Sequence, residues 1–321
     1  MNNLTFSDLE RQLYQLYQSG EYAQALDLAT REASRFPAEA LDIYLWRICM
    51  ASLINETALA LQLLEEALEA GLWWAEAQLR EESDLQSLQG LPQFEQLVEV
   101  CQKRHAEAQA QAVPVLLTLQ PEGGCQAGLQ PCPLLLALHG NDQTAEGSVG
   151  FWRSAVSRGW LLALPQSSQV RGPDGYIWND QDRAVREIQE HYATLCEQYA
   201  IDPDRVVLAG FSRGGELAIW LALSGTIEVR GFIAVGPGGP YMSEPDNWVP
   251  LIEASQARGL RGYLVVGEQD IFCYEGTQAL AALLRSRGVP CELEIHPNLG
   301  HDFPPDFQQS LARALEFVFQ T

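Results

Sequence analysis

One serine in this chain has the neighbours that are typical of a catalytic nucleophile. The segment Gly210–Gly214 reads Gly-Phe-Ser-Arg-Gly, and it lies between an apolar run and a helix-length segment. A tight turn from a strand into a helix exposes the serine hydroxyl and leaves room only for glycine on either side. The alternative is an ordinary glycine-rich turn, but the strand before it and the helix after it favour Ser212 as a nucleophile.

A serine hydroxyl needs a base, and that base needs an acid to orient it. Two later apolar runs end in suitable residues. Asp270 follows the run Tyr263–Val266, and His301 follows the run Glu292–His296. These positions predict His301 as the base and Asp270 as the acid. Glu268 and Asp302 remain alternatives for the acid.

Acyl transfer also needs N–H donors for the negative charge that develops on the carbonyl oxygen. The N–H of Arg213 lies at the predicted helix N-terminus beside Ser212, where the helix dipole strengthens it. The second donor is expected in the loop that follows the run Leu134–Leu138. The N–H of Asn141 is the first choice, and that of Asp142 is the alternative.

Three further side chains are candidates near this site. His139 ends the strand that leads into the same loop, and we interpret it as a structural residue rather than the base. Trp178 and Tyr241 are predicted to line a substrate pocket. Their alternative role is as ordinary core or rim aromatics.

The elements that must position these residues follow from the hydrophobic pattern after Val113. Short apolar runs alternate with helix-length segments, which predicts a doubly wound α/β domain with a mostly parallel sheet. In such sheets ligands bind beyond the carboxyl ends of the strands. The predicted strands are Val113–Leu119, Leu134–Leu138, Trp160–Leu164, Arg205–Ala209, Gly231–Val235, Tyr263–Val266 and Glu292–His296.

The first 112 residues have a helical pattern instead, with a weak internal repeat of about 35 positions. The residues that carry the repeat are Gly20, Tyr22, Ala25 and Pro37, and then Asn55, Thr57 and Ala60. They resemble the second half of a tetratricopeptide unit, although its tryptophan and first glycine are missing. We therefore predict a tetratricopeptide-like helical domain over 1–112 and a catalytic domain over 113–321. Two repeats rarely form a stable solenoid alone, so this helical domain is expected to pack against the catalytic domain or a second subunit. It could then either cover the active site or bind a protein partner.

The catalytic segment 113–321 resembles the α/β-hydrolases, and within them the phospholipase/carboxylesterase and dienelactone-hydrolase-like esterases. The resemblance implies a serine mechanism, with no metal and no organic cofactor. Dienelactone hydrolases carry cysteine at the nucleophile, and Ser212 departs from that pattern. Besides the segment around Ser212, the matching pieces are Leu138–Asn141, Gly175–Asp180, Ile201–Val206, Gly267–Asp270 and Gly300–Pro304.

Composition limits the partners of the 321-residue chain, whose net charge is −22. Such a charge disfavours binding to nucleic acids and to anionic membranes. No apolar run is long enough to span a bilayer, and the N-terminus has no signal-peptide pattern. We therefore expect a cytoplasmic protein whose seven cysteines are reduced, with a Cys125–Cys132 disulfide as the alternative.

Together these features predict a serine carboxylesterase that acts on a small-molecule ester. The absence of a long insertion between Val235 and Asn247 favours short- to medium-chain acyl groups. Two alternatives remain. One is a thioesterase or serine peptidase with the same three residues, and the other is a protein-interaction module whose hydrolase domain is vestigial.

Overall fold

The computed structural model describes residues 4–126, 128, 130–173 and 175–320. The chain divides into two compact units. One unit is Met1–Ala112 with Val170–Gly175, and the other is Val113–Gln169 with Tyr176–Thr321. The sequence did not predict that residues 170–175 belong with the first unit. Within that unit, the N–H of Val170 donates to Gln109 and the N–H of Ala75 donates to the carbonyl of Arg171.

The first unit is helical. Its helices pair with short turns. The turn after α1 (Phe6–Gln18) places Gly20 in the left-handed conformation at φ 74°, and the turn after α3 (Ala40–Leu53) does the same for Asn55 at φ 63°. These residues are 35 positions apart, so the repeat seen in the sequence corresponds to two helix pairs. The helices are α1 Phe6–Gln18, α2 Tyr22–Glu32, α3 Ala40–Leu53, α4 Thr57–Glu69, α5 Glu76–Glu81 and α6 Pro92–Gln111.

The second unit contains a seven-stranded sheet, and every predicted apolar run forms one of its strands. The strand order is β1-β3-β2-β6-β7-β8-β9, in which only β1 runs antiparallel to its neighbour. Two short strands, β4 Gln169–Gly172 and β5 Gly175–Ile177, lie outside it. The seven strands are β1 Val115–Leu119, β2 Cys132–Leu138, β3 Leu161–Gln166, β6 Ile201–Phe211, β7 Gly231–Val235, β8 Arg261–Gly267 and β9 Cys291–His296.

Helices cover both faces of this sheet. Alternate residues of β2 belong to separate hydrophobic clusters, with Leu134 and Leu136 in one and Leu135 and Ala137 in the other. The doubly wound, mostly parallel fold class predicted from the sequence is therefore confirmed. The helices are α7 Ala145–Trp152, α8 Gln181–Gln198, α9 Ser212–Ser224, α10 Pro240–Ser243, α11 Val249–Ser255, α12 Tyr274–Ser286 and α13 Phe307–Val318.

One expectation about the cysteines is wrong. Cys125 and Cys132 are joined by a disulfide, with their Cα atoms 5.7 Å apart, a separation that suits such a bond. The other five cysteines are free, as expected. The described residues include no helix that is both long enough and apolar enough to cross a membrane.

Candidate active site

Ser212 occupies a strained turn between β6 and α9. Its φ of 51° is in the left-handed region, which non-glycine residues rarely adopt. A Cβ on Gly210 would lie 2.3 Å from the carbonyl oxygen of Gly214, and one on Gly214 would lie 2.2 Å from that of His139. The close packing around the turn therefore requires glycine on both sides of the serine.

The structure brings Ser212, His301 and Asp270 together at the carboxyl ends of β6, β9 and β8. Nε2 of His301 lies 2.9 Å from Oγ of Ser212, and Nδ1 lies 2.8 Å from Oδ2 of Asp270. Because a carboxylate only accepts hydrogen bonds, Nδ1 carries the proton that is donated to Asp270. The free lone pair of Nε2 then accepts the serine hydroxyl proton.

Asp270 is held rigidly, since it is only 2 % exposed. Its Oδ1 accepts the N–H groups of Phe272 and Cys273, at 3.1 and 3.0 Å. The two alternatives for the acid do not take this position. Glu268 is exposed, and Asp302 accepts the N–H of Phe303 at 2.7 Å.

Burial opposes the charged form of His301, but hydrogen bonds to Asp270 and Cys273 outweigh it. These hydrogen bonds raise the pKa of His301 well above its ordinary value. The imidazole is therefore a stronger base than a free histidine, and a larger fraction of it is protonated at neutral pH.

The loop after β2 lies against the serine. A Cβ on Gly140 would be 3.3 Å from the Cβ of Ser212. The N–H of Asp142 donates to the carbonyl of Tyr176 at 2.9 Å, so it is not available to a substrate. Asn141 therefore stays the candidate donor in this loop. The N–H of Arg213 lies in the first turn of α9, where helical N–H groups have no intrahelical acceptor.

His139 is a structural residue, as the sequence predicts. Its Nδ1 lies 2.6 Å from the carbonyl of Gly140, and its Nε2 accepts the N–H of Ser167 at 3.2 Å. Burial lowers the pKa of His139 to about 4. The ring is thus neutral and both nitrogens are occupied, so it cannot serve as the base.

The structure treats the two aromatic residues predicted to line the pocket, Trp178 and Tyr241, differently. Trp178 is fully buried and its indole N–H donates to the carbonyl of His139 at 2.9 Å, so the prediction that it lines the pocket is wrong. Tyr241 is partly buried, and its hydroxyl accepts the indole N–H of Trp220 at 3.3 Å. Its contact with a substrate stays a prediction.

Sequence reasoning missed an aromatic cluster beside His301. The ring of Phe211 lies 4.9 Å from the imidazole, and Phe303 stacks between Phe211 and Phe151 at 4.7 and 3.9 Å. The ring of Phe272 faces His301 edge-on at 6.3 Å and is 54 % exposed. A signal was present, because a phenylalanine precedes Ser212 and others follow Asp270 and His301 by two positions.

Two family models match the chain. Residues 5–109 match the family described as A/B hydrolase-like, N-terminal domain, and residues 169–315 match the dienelactone hydrolase family. The second unit has the α/β-hydrolase fold. The helical segment before it is thus of a kind found with such hydrolases, and its tetratricopeptide likeness stays a prediction.

Solved structures support the same fold. An uncharacterised protein from Bacillus cereus ATCC 10987 is 28% identical, with 98% of this chain and 99% of that chain covered, at a TM-score of 0.56. The esterase PE8 is 18% identical, with 62% of this chain and 96% of that chain covered, at a TM-score of 0.51. Est1E from Butyrivibrio proteoclasticus is 14% identical, with 64% of this chain and 93% of that chain covered, at a TM-score of 0.50. The match to the Bacillus cereus protein extends over residues of both units, because it covers 98% of this chain.

A curated relative is acyl-protein thioesterase 1 of Gibberella zeae. It is 24% identical over 139 residues, which are 41% of this chain and 57% of that protein. The chain therefore matches little more than half the length of this relative.

Proposed function

We propose that this hydrolase cleaves carboxylic ester bonds through an acyl-enzyme, with Ser212 as the nucleophile, His301 as the base and Asp270 as the orienting acid. The observation that carries the proposal is the continuous hydrogen-bonded chain from Ser212 through His301 to Asp270. The dienelactone hydrolase match and the relatives named as esterases and as a thioesterase support the same chemistry.

The reaction follows from the geometry. Oγ of Ser212 attacks the ester carbonyl while its proton moves to Nε2 of His301. The N–H groups of Arg213 and Asn141 bind the tetrahedral oxyanion. When that intermediate collapses, the C–O bond breaks and the leaving alkoxide takes the proton from His301. Water, deprotonated by His301, then attacks the acyl-enzyme and releases the carboxylic acid and free Ser212.

The aromatic cluster indicates the substrate's character. Clustered exposed apolar side chains mark binding surfaces, and Phe272, which faces His301, is 54 % exposed, while Phe151, which stacks on Phe303, is 37 % exposed. Among the described residues between β7 and Trp248, the only α-helix is α10, which has four residues. An apolar rim without a long helical insertion after β7 in the described residues suits short- to medium-chain acyl esters.

A panel of p-nitrophenyl esters from acetate to dodecanoate tests this proposal, with acyl thioesters assayed in parallel. We expect turnover of the esters, with the highest kcat/KM for acyl chains of intermediate length. A protein that hydrolyses only the thioesters would be a thioesterase, the activity in the name of the Gibberella zeae relative. A protein that hydrolyses neither would contradict the proposal and leave the serine peptidase and the interaction module as the alternatives.

The pH dependence follows from the raised pKa of His301. His301 must be neutral to accept the serine proton, so kcat/KM should rise with pH and level off above the pKa that His301 has in the folded protein. The midpoint is expected above the ordinary histidine value of about 6.5. Rates with p-nitrophenyl butyrate from pH 5 to 10, corrected for spontaneous hydrolysis, measure it. A wild-type midpoint below 6.5 would contradict the assignment.

Phe272→Ala tests the apolar rim. Loss of its contact with a longer acyl chain should raise KM for p-nitrophenyl octanoate about tenfold, with kcat and the acetate ester changed less than about twofold. Val115→Ala is the matched control, because Val115 is 44 % exposed on the edge strand β1. Equal effects on acetate and octanoate would show that Phe272 does not bind the acyl chain.

A further inference from the structure

Two buried hydrogen bonds link the nucleophile helix to the loop after β2. The guanidinium of Arg213 donates to the carbonyl of Trp178 at 3.1 Å. The indole N–H of Trp178 donates in turn to the carbonyl of His139 at 2.9 Å. Because His139 directly precedes Gly140 and Asn141, these two bonds connect the residues that carry the two candidate oxyanion donors.

Burying the charged side chain of Arg213 costs free energy, which argues against a role in stability alone. Arg213 is 6 % exposed and forms an ion pair with Glu216, which is fully buried. Glu216 also accepts the N–H of Met242 at 3.0 Å. A buried ion pair contributes little net stability compared with apolar residues of similar volume. Stability alone therefore gives no reason for an arginine here, whereas its planar fork can bind Glu216 and Trp178 at once.

The separation of the two N–H donors matters for catalysis. Donors act strongly only when they lie about 2.7–3.1 Å from the oxyanion. One donor belongs to α9 and the other to the loop after β2, so no single element fixes the distance between them. We propose that the side chains of Arg213 and Trp178 are positioning residues that hold the N–H groups of Arg213 and Asn141 at the separation an oxyanion requires.

This inference rests on the proposed ester hydrolysis, and it also accounts for two observations at the site. The burial of Trp178 excludes contact with a substrate, yet its indole reaches the loop beside Ser212. The rings of Trp178 and His139 also contact each other, with their centroids 4.7 Å apart and their planes tilted by 31°. Both contacts are made to His139, two positions before Asn141, rather than to the reacting atoms.

Trp178→Phe is the direct test, because it removes the indole N–H and keeps an aromatic ring. Trp248→Phe is the matched control, since Trp248 is equally buried and its indole N–H has no partner among the described residues. We expect Trp178→Phe to lower kcat about 10- to 100-fold with KM within about twofold, and Trp248→Phe to change both by less than about twofold.

A second readout separates positioning from general destabilisation. An alkyl boronic acid forms a tetrahedral adduct with a catalytic serine, so its affinity depends on the oxyanion donors. Its dissociation constant should rise in Trp178→Phe by the same factor as kcat/KM falls, and stay unchanged in Trp248→Phe. The double variant R213Q/E216Q leaves no buried charge unpaired. Its kcat/KM and its affinity for the boronic acid should fall by the same factor.

The outcomes separate this inference from the proposed function. If the wild type neither hydrolyses esters nor binds the boronic acid, the proposed function fails and this inference fails with it. If the wild type does both, and Trp178→Phe matches Trp248→Phe in kcat and in boronic acid affinity, only the positioning role is overturned.

Discussion

Ser212→Ala is expected to lower kcat for ester hydrolysis by a factor on the order of 10⁶ while leaving the fold intact. The hydroxyl oxygen of Ser212 lies 2.9 Å from the base, and no other group in the proposed mechanism can form the acyl-enzyme. The change should leave the unfolding temperature nearly unchanged, because alanine keeps the Cβ at this turn and removes only the hydroxyl. Initial rates with p-nitrophenyl butyrate and a thermal melt measure both.

The matched control for this variant is Ser255→Ala. Ser255 is 1 % exposed and donates one hydrogen bond, to the carbonyl of Ile252 at 2.8 Å, within its own helix. Its loss should change kcat by less than about twofold, as expected for a buried serine without a catalytic role. An Ser212→Ala protein that kept a tenth of the wild-type rate would mean that another residue is the nucleophile.

Asp270→Asn has the second largest expected effect, a loss of kcat of about 10⁴-fold. The asparagine NH₂ would face Nδ1 of His301 and favour the tautomer with the proton on Nε2. In that tautomer Nε2 cannot accept the serine proton, although the geometry of the site is unchanged. The effect should appear in kcat and kcat/KM alike, because the interaction is lost in the transition state.

Two further carboxyl variants decide between the candidate acids. Glu268→Gln changes an exposed group and should leave kcat within about twofold. Asp302→Asn changes the other alternative and should cost far less than Asp270→Asn, since Asp302 accepts the backbone N–H of Phe303 rather than the imidazole proton. A large loss in Asp302→Asn, with Asp270→Asn nearly active, would reverse the assignment.

Local patterns in the sequence predicted the strands and the positions of the candidate catalytic residues well. Strands buried on both faces leave continuous apolar runs, and the turn around Ser212 leaves a glycine on each side. Asp270 and His301 could be placed because each follows directly after such a strand. These features depend on residues that are neighbours in the chain, so the sequence displays them.

Features that depend on distant contacts could not be predicted in this way. The indole of Trp178 reaches His139, which is 39 positions away, and Arg213 reaches Trp178 from 35 positions away. Aromatic residues are equally common in cores and in pockets, so the sequence did not distinguish the two roles for Trp178. Val170 and Arg171 contact residues of the first unit that are 61–96 positions away, and no periodic pattern records such contacts.

Covalent labelling of Ser212 tests the central claim most directly. Trypsin should release the peptide Val206–Arg213, whose sequence Val-Val-Leu-Ala-Gly-Phe-Ser-Arg contains Ser212 and no other nucleophilic side chain. After reaction with diisopropyl fluorophosphate, mass spectrometry should show one diisopropylphosphoryl group on this peptide, with its occupancy rising in proportion to the loss of esterase activity. Inactivation with this peptide unmodified, or modification of it without loss of activity, would contradict the assignment of Ser212 as the nucleophile.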